Sequence, residues 1–265
     1  MQILLVVFFG ASIGSFINIV VWHLPRNESI IHSRSQCNDC MEVIKWHDKI
    51  PIISWLILKG RCRKCKSKIK TRYLSIEVLC SALYLLCFLY HPPYIEPESH
   101  LSYVIASWLL LSVLIPLSLI DIDHLWIPDS LCNFGLLFGF LIIPTLSINQ
   151  VVAIKWEVLS DQLLGLSIGY LIFRVVGYFA KKIFDKPALG IGDANLTAVL
   201  GSWLGLQGLG LAIMIAFLLS GCFATAGFIT RKLRYGEAFS FGPFLSIAGF
   251  LVWILGEQFW IKIIF

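Results

Sequence analysis

Charge is what this sequence has least of. Only 14% of its 265 residues are Asp, Glu, Lys or Arg, against 58% hydrophobic residues, and the mean hydropathy is +0.82. Soluble chains carry about 25% charged residues, so an ordinary soluble core is excluded. The apolar runs also lack the polar–apolar alternation of membrane β-barrel strands. That leaves helices, the other structure that satisfies every backbone group in lipid. No basic stretch precedes the first apolar run, Met1–Trp22, which is long for the apolar segment of a secretory signal. It is expected to be a membrane-crossing helix.

What charge there is lies unevenly. The net charge is +5, and 12 of the 21 Lys and Arg fall between Arg26 and Arg72. Set directly against apolar runs, this block reads as a cytoplasmic segment facing anionic lipid headgroups, and nucleic acid is not expected as a partner. Uncharged or nearly uncharged runs follow at 74–90, 101–120, 131–148, 161–180 and 241–260. The run Ala194–Thr230 carries no charge, is too long for one crossing and holds GLQGLG (Gly205–Gly210) as a turn, so it is read as two short spans. Lys and Arg collect in cytoplasmic loops. With the N-terminus outside, about eight spans bring the basic block, Lys181–Lys186 and Arg231–Arg234 to one side. The expected fold is an all-α polytopic membrane protein. It has 1–22 as first helix, a small cytoplasmic zinc-binding domain at 23–73 between helices 1 and 2, and a seven-helix domain at 74–265.

Eight cysteines divide into two groups. Cys80, Cys87, Cys132 and Cys222 sit in apolar runs and read as small packing residues. Cys37 and Cys40, then Cys62 and Cys65, form two CxxC pairs with 21 residues between. That spacing suits a closed, structural zinc site of four thiolates, which would fold a segment too polar and small to stand by itself. A dithiol redox pair is the competing reading.

Three carboxylates, Asp121, Asp123 and Asp129, stand where an uncharged run ends. Asp193, in Gly190-Ile191-Gly192-Asp193, stands at another such boundary, and the span count puts it at the same membrane face as Asp121. Carboxylates at lipid boundaries are costly and point to function. Two that meet would share protons and supply an acid and a base in one site. One would take a proton from water while the other protonates a peptide carbonyl. Gly190 and Gly192 are expected to give backbone conformations closed to other residues and to let a substrate strand approach. An N-cap of the next helix is the alternative for Asp193. Asp129, after Pro128, reads as a helix N-cap; Asp123 points away from Asp121 on a helix; His124 is interfacial or supports the pair.

These residues carry a resemblance. Gly14-Ser15-Phe16-Ile17-Asn18, the two CxxC pairs, Ile50-Pro51, Ser54-Trp55-Leu56, Gly60-Arg61, Arg72-Tyr73 and Glu77 resemble the bacterial prepilin peptidases, the type IV leader peptidase family of GxGD-type aspartyl proteases. So do Asp121-Ile122-Asp123-His124, Pro128-Asp129, the GIGD segment and Phe241-Gly242-Pro243. The resemblance implies an inner-membrane endopeptidase that removes the short basic leader of prepilins or pseudopilins at the cytoplasmic face. It implies Asp121 and Asp193 as catalytic residues, Cys37, Cys40, Cys62 and Cys65 as zinc ligands, and a possible N-methylation of the new N-terminus with S-adenosylmethionine, for which no glycine-rich nucleotide loop is visible. The sequence departs from the usual family residues at His23, Lys49, Leu74 and Asn195. Implied partners are a prepilin or pseudopilin and membrane lipid. Two other classes compete: a proton- or cation-coupled carrier using Asp121 and Asp193, which would hold them near the bilayer midplane, and a CxxC redox protein.

Overall fold

The computed structural model describes residues 1–29, 36–37, 39–90, 99–146, 152–184, 190–232 and 239–264. The expected external loop at 91–100 lies almost wholly outside them, as do Lys186 and Arg234. The chain forms two compact units, Met1–His91 and Pro92–Phe265.

In the first unit α1 (Gln2–His23) packs along α3 (Thr71–Leu89). Small residues set the distance: a Cβ on Gly14 would stand 2.8 Å from Glu77 Cα, and one on Gly10 2.9 Å from Ser81 Cα. Close backbone approach of this kind is how helices associate where lipid removes the hydrophobic incentive. Polar side chains add to it: Asn18 Nδ2 donates to the Tyr73 carbonyl (3.2 Å) and Ser81 Oγ to that of Val7 (3.1 Å). Between the two helices lie the 3₁₀ turns Leu24–Arg26 and Trp46–Lys49 and the short helix α2 (Ile53–Ile57).

The second unit holds α4 (His100–His124), α5 (Asp129–Leu146), α6 (Val152–Phe184), α7 (Ile191–Ile229), α8 (Gly242–Leu255) and α9 (Glu257–Ile264). Its core joins α4, α7 and α8 through Leu110, Leu114, Leu117, Leu196, Leu200, Leu245 and Val252. Inside it Tyr103 stacks on Trp253 at 5.2 Å. Buried polar groups bond across helices: Trp253 Nε1 to Ser107 Oγ (2.8 Å), Trp203 Nε1 to the Gly135 carbonyl (2.9 Å), and Gln162 Nε2 to the Ser202 carbonyl (2.6 Å).

Five helices among the described residues are long and apolar enough to cross a membrane, six if the bent pair α8 and α9 counts as one. α5 is shorter, with an apolar stretch over Asp129–Pro144. The two spans expected within Ala194–Thr230 form the single element α7, but it doubles back at Gly205 (φ 69°, ψ −172°). A Cβ on Gly169 of α6 would lie 2.6 Å from Leu209 Cδ2 and 3.4 Å from Thr197 O. Twelve residues apart on one straight helix, those two would be about 18 Å distant. Both arms of α7 therefore run beside α6, with the turn at the first glycine of GLQGLG. Asp161 Oδ1 accepts the Leu206 N–H at this turn (3.2 Å), and Glu257 accepts that of Gly208. The last expected span, Phe241–Trp260, is broken: Gly256 (φ 78°) bends the chain by 102° after Leu255, and α9 brings Glu257 to the Gly205 turn.

Candidate active site

α4 ends at His124 because Leu125 takes a left-handed conformation (φ 50°), its N–H closing onto the Asp121 carbonyl (2.9 Å). Asp121 therefore lies in the last helical turn, 5% exposed. Its Oδ2 accepts the backbone N–H of Gly242, the first residue of α8, at 2.9 Å. Helix N-termini favour a carboxylate through their free N–H groups and dipole. Pro243 follows in the first turn of α8, where a missing N–H costs nothing.

Asp193 occupies the first turn of α7 and is partly buried. Its Oδ2 accepts the Gly190 N–H at 3.0 Å. The N-cap position itself belongs to Gly190, and Asp193, three residues on, reaches back to it. This carboxylate thus does terminate the helix, as the alternative reading of Asp193 required, while half-buried in the same region as Asp121. The Asp121 carboxylate lies within electrostatic reach of Asp193. Ile127, 3% exposed, is the wedge between their two segments. A Cβ on Gly192 would meet Ile127 Cβ at 2.7 Å, and one on Gly242 would meet Ile127 Cδ1 at 3.3 Å and Asp121 Oδ2 at 2.7 Å.

The glycines of GIGD thus have a different reason from the one expected. Neither Gly190 (φ −77°, ψ 158°) nor Gly192 has a positive φ. Gly192 is required by close approach to Ile127, whereas a Cβ at Gly190 would meet nothing nearer than 3.6 Å. Gly242 and Ile127 were missed as site residues. Phe241-Gly242-Pro243 carried the resemblance but was given no role, although a Gly-Pro pair opening an apolar run signals a helix start.

Asp129 is the first residue of α5 rather than its cap, and its Oδ1 instead accepts Asn195 Nδ2 at 2.6 Å. The side chain has a partner on α7, which outcompetes the local cap. These two residues edge a groove between α5, α6 and α7 that Asn133, Tyr170 and Ile191 also line. Asp123 and His124 are exposed.

In the first unit the two CxxC segments fold as copies of one knuckle. Cys37 N–H donates to the Glu42 carbonyl and Cys62 N–H to that of Ser67, both at 2.9 Å. The residue after each second cysteine, Met41 (φ 55°) or Lys66 (φ 61°), is left-handed. All four Sγ atoms lie within 4.8 Å of one another, and Cys37 Sγ is 3.7 Å from Cys65 Sγ. A tetrahedron with metal–sulfur distances of about 2.3 Å has sulfur–sulfur edges of about 3.8 Å, so the cluster can hold a metal ion. The backbone N–H groups of Cys40 and Asp39 hold the Cys37 thiol down at about 6, and Ser67 lowers that of Cys65. Two separate redox dithiols have no need of this convergence.

Residues 8–91 match the bacterial peptidase A24 N-terminal domain, and residues 108–226 match the type IV leader peptidase family. A type 4 prepilin-like proteins leader peptide-processing enzyme of Escherichia coli is 35% identical over 91% of this chain and 89% of its own length. A prepilin leader peptidase/N-methyltransferase of Stutzerimonas stutzeri is 32% identical over 94% and 89%. One of the same name from Myxococcus xanthus is 34% identical over 74% of this chain, which spans about half (54%) of that protein's length. No solved structure matches the chain.

Proposed function

The chain belongs to the type IV leader peptidase family, and from that premise we propose that it is a membrane aspartyl endopeptidase acting on prepilins or pseudopilins. The observation that carries the reading is that Gly192, next to Asp193, and Gly242, whose N–H is held by Asp121, both close on Ile127, which brings into one region two carboxylates 72 positions apart in the sequence.

The pair holds one proton. A water molecule gives its proton to the ionised carboxylate as its oxygen attacks the scissile carbonyl carbon. The protonated carboxyl gives its proton to the carbonyl oxygen. When the tetrahedral species collapses, the C–N bond breaks, the new amine takes the proton abstracted from water, and one hydroxyl of the gem-diol returns its proton to the other carboxylate, so the pair again holds one. The backbone N–H groups of Gly242 and Gly190 orient the two carboxylates and carry no net charge, so neither aspartate is locked as an anion. The groove beside Asp129 and Asn195 gives the substrate an approach between α5, α6 and α7.

Both aspartates lie at helix ends, which suits an interfacial cleavage site. It does not suit a carrier, whose binding carboxylates belong near the midplane. Basic residues end α6 (Lys181, Lys182) and follow α7 (Arg231, Lys232), which by the charge rule supports a site facing the cytoplasm. Cys37, Cys40, Cys62 and Cys65 would hold a structural zinc that folds the segment between α1 and α3.

The relatives' names include N-methyltransferase, and methylation of the new N-terminus is proposed as a second activity. Two grooves among the described residues do not fit S-adenosylmethionine well. One is lined by Lys59, Arg61, Arg63 and Lys66, which repel a sulfonium, and the other, between α5, α6 and α7, offers Asp129 as its one carboxylate, which Asn195 already occupies. No residue is assigned to that cofactor.

The test is incubation of purified protein with a prepilin, with and without S-adenosylmethionine, and mass measurement of the products. Cleavage at the leader boundary by wild type and loss of it in Asp121→Asn and in Asp193→Asn are expected. Normal cleavage by either variant refutes the pair.

A further inference from the structure

Glu77 lies six residues into α3, about 9 Å from its start, and is 9% exposed. Its Oε2 accepts the backbone N–H of Ile52 at 2.7 Å. Ile52 has φ 62°, a genuine outlier for a β-branched residue, so the bond fixes a conformation the chain would not hold otherwise. It ties the start of α2 to the first turns of a helix long and apolar enough to cross a membrane. α2 is thereby held at the depth where α3 enters the bilayer.

α2 buries little against its own unit. Ile53, Leu56 and Ile57, at i, i+3 and i+4, form one stripe and are 50%, 58% and 70% exposed. Trp55 points the other way, onto Gly60, where a Cβ would stand 2.7 Å from its Cζ2. The stripe runs into a groove lined by Ile57, Leu58, Lys59, Arg61, Arg63 and Lys66, with no acidic residue. Arg63 is taken by Asp48 (2.6 Å), but Lys59, Arg61 and Lys66 are exposed and form no ion pair among the described residues.

We propose that α2 and this cationic rim dock on the surface of the bilayer that α1 and α3 enter. Ile53, Leu56 and Ile57 lie among the outer acyl carbons, and Lys59, Arg61 and Lys66 bind the phosphates of anionic phospholipids. Charge complementarity favours phospholipid over a basic leader peptide. α3 of the same unit also presents exposed apolar residues, Val78 and Leu79, each 47% exposed. An apolar stripe or a basic cluster binds a bilayer weakly by itself; the two together anchor. Each basic residue near an anionic surface contributes roughly fivefold in affinity, so three give on the order of a hundredfold.

The full chain carrying a benzophenone amino acid at Ile57 is placed in phosphatidylcholine nanodiscs with or without phosphatidylglycerol, irradiated and analysed by mass. Phospholipid adducts are expected, enriched in phosphatidylglycerol. The enrichment should fall at least tenfold in a Lys59→Gln/Arg61→Gln/Lys66→Gln variant that elutes as wild type and cleaves prepilin at the normal rate. A probe that reacts with water alone, with a second copy of the chain or with added prepilin overturns the proposal. Lipid adducts indifferent to phosphatidylglycerol overturn its electrostatic half.

Discussion

Replacing Gly242 by alanine tests the site without removing any of its functional groups. The new Cβ would stand 2.7 Å from Asp121 Oδ2, 3.2 Å from its Cγ and 3.3 Å from Ile127 Cδ1. Non-bonded heavy atoms settle at about 3.5 Å, so the carboxylate must retreat by about 0.8 Å, and the 2.9 Å bond from the Gly242 N–H is spoiled with it. The backbone itself accepts the change, since Gly242 is helical and has no positive φ. Misplacing a reacting group by 1 Å costs about 10²-fold. The expected loss is therefore about 30-fold in kcat, or about 2 kcal/mol of transition-state stabilisation, with KM little changed because Asp121 acts on the reacting bond. Gly190→Ala is the internal control: its Cβ would meet Asp193 Oδ2 at 3.6 Å and Gly192 N at 3.7 Å, both ordinary contacts, and it should keep activity within about threefold, an ordinary surface-level perturbation. The assay is leader release from a prepilin followed by mass, with thermal unfolding measured on the same preparations. A Gly242→Ala protein that cleaves at the wild-type rate refutes the geometry. So does a Gly190→Ala protein that is equally impaired yet equally stable.

Asp121→Asn and Asp193→Asn should each lower the cleavage rate by about 10³-fold, the range for loss of an acid or base, with unchanged thermal unfolding. The pH–rate profile of wild type should be bell-shaped, since a pair with both carboxyls protonated lacks the base and one with both ionised lacks the acid; a flat profile from pH 4 to 9 would contradict a shared proton. Gly205→Ala drives a Cβ into Asp161 Oδ2 at φ 69° and should cost about 3 kcal/mol in backbone strain and a lost cap, read as a fall in Tm of roughly 5–10 °C. Cys37→Ser should abolish stoichiometric zinc and expose residues 36–70 to protease; a variant that keeps its metal would remove the four-thiolate assignment.

The residues that sequence could place are those marked by a break in hydropathy. Asp121 closes an uncharged run, GIGD opens another, and Gly205–Gly210 interrupts the longest, so each carboxylate and the reversal in α7 could be located before any contact was known. The two CxxC pairs were legible because knuckle geometry is local, completed within six residues by the Cys37–Glu42 and Cys62–Ser67 bonds. What escaped was set by contacts distant in the chain. The bond from Gly242 to Asp121 spans 121 positions, the close approach of Gly192 to Ile127 spans 65, and no periodicity encodes either. Asp129 reads as a cap because capping is a local rule, and it fails there because Asn195, 66 positions away, offers a bond at 2.6 Å.

A single device recurs at both ends of the second unit. Asp121 takes the first N–H of α8, Asp193 takes that of Gly190 at the start of α7, and Asp161 and Glu257 take N–H groups where the second arm of α7 begins. None of the four forms a salt bridge with a cationic side chain among the described residues. In a chain with no charged residue from Ala194 to Thr230, helix N-termini do the work that Lys or Arg would do in a soluble protein. The difference matters for chemistry. A carboxylate paired with a fixed cation resists protonation, because the proton must displace an ion pair. One held by a backbone N–H keeps its position in either protonation state, since a carboxyl oxygen accepts the same bond with or without its proton. Under the proposed peptidase reading, two carboxylates so held exchange a proton with a water and a peptide without first breaking an ion pair.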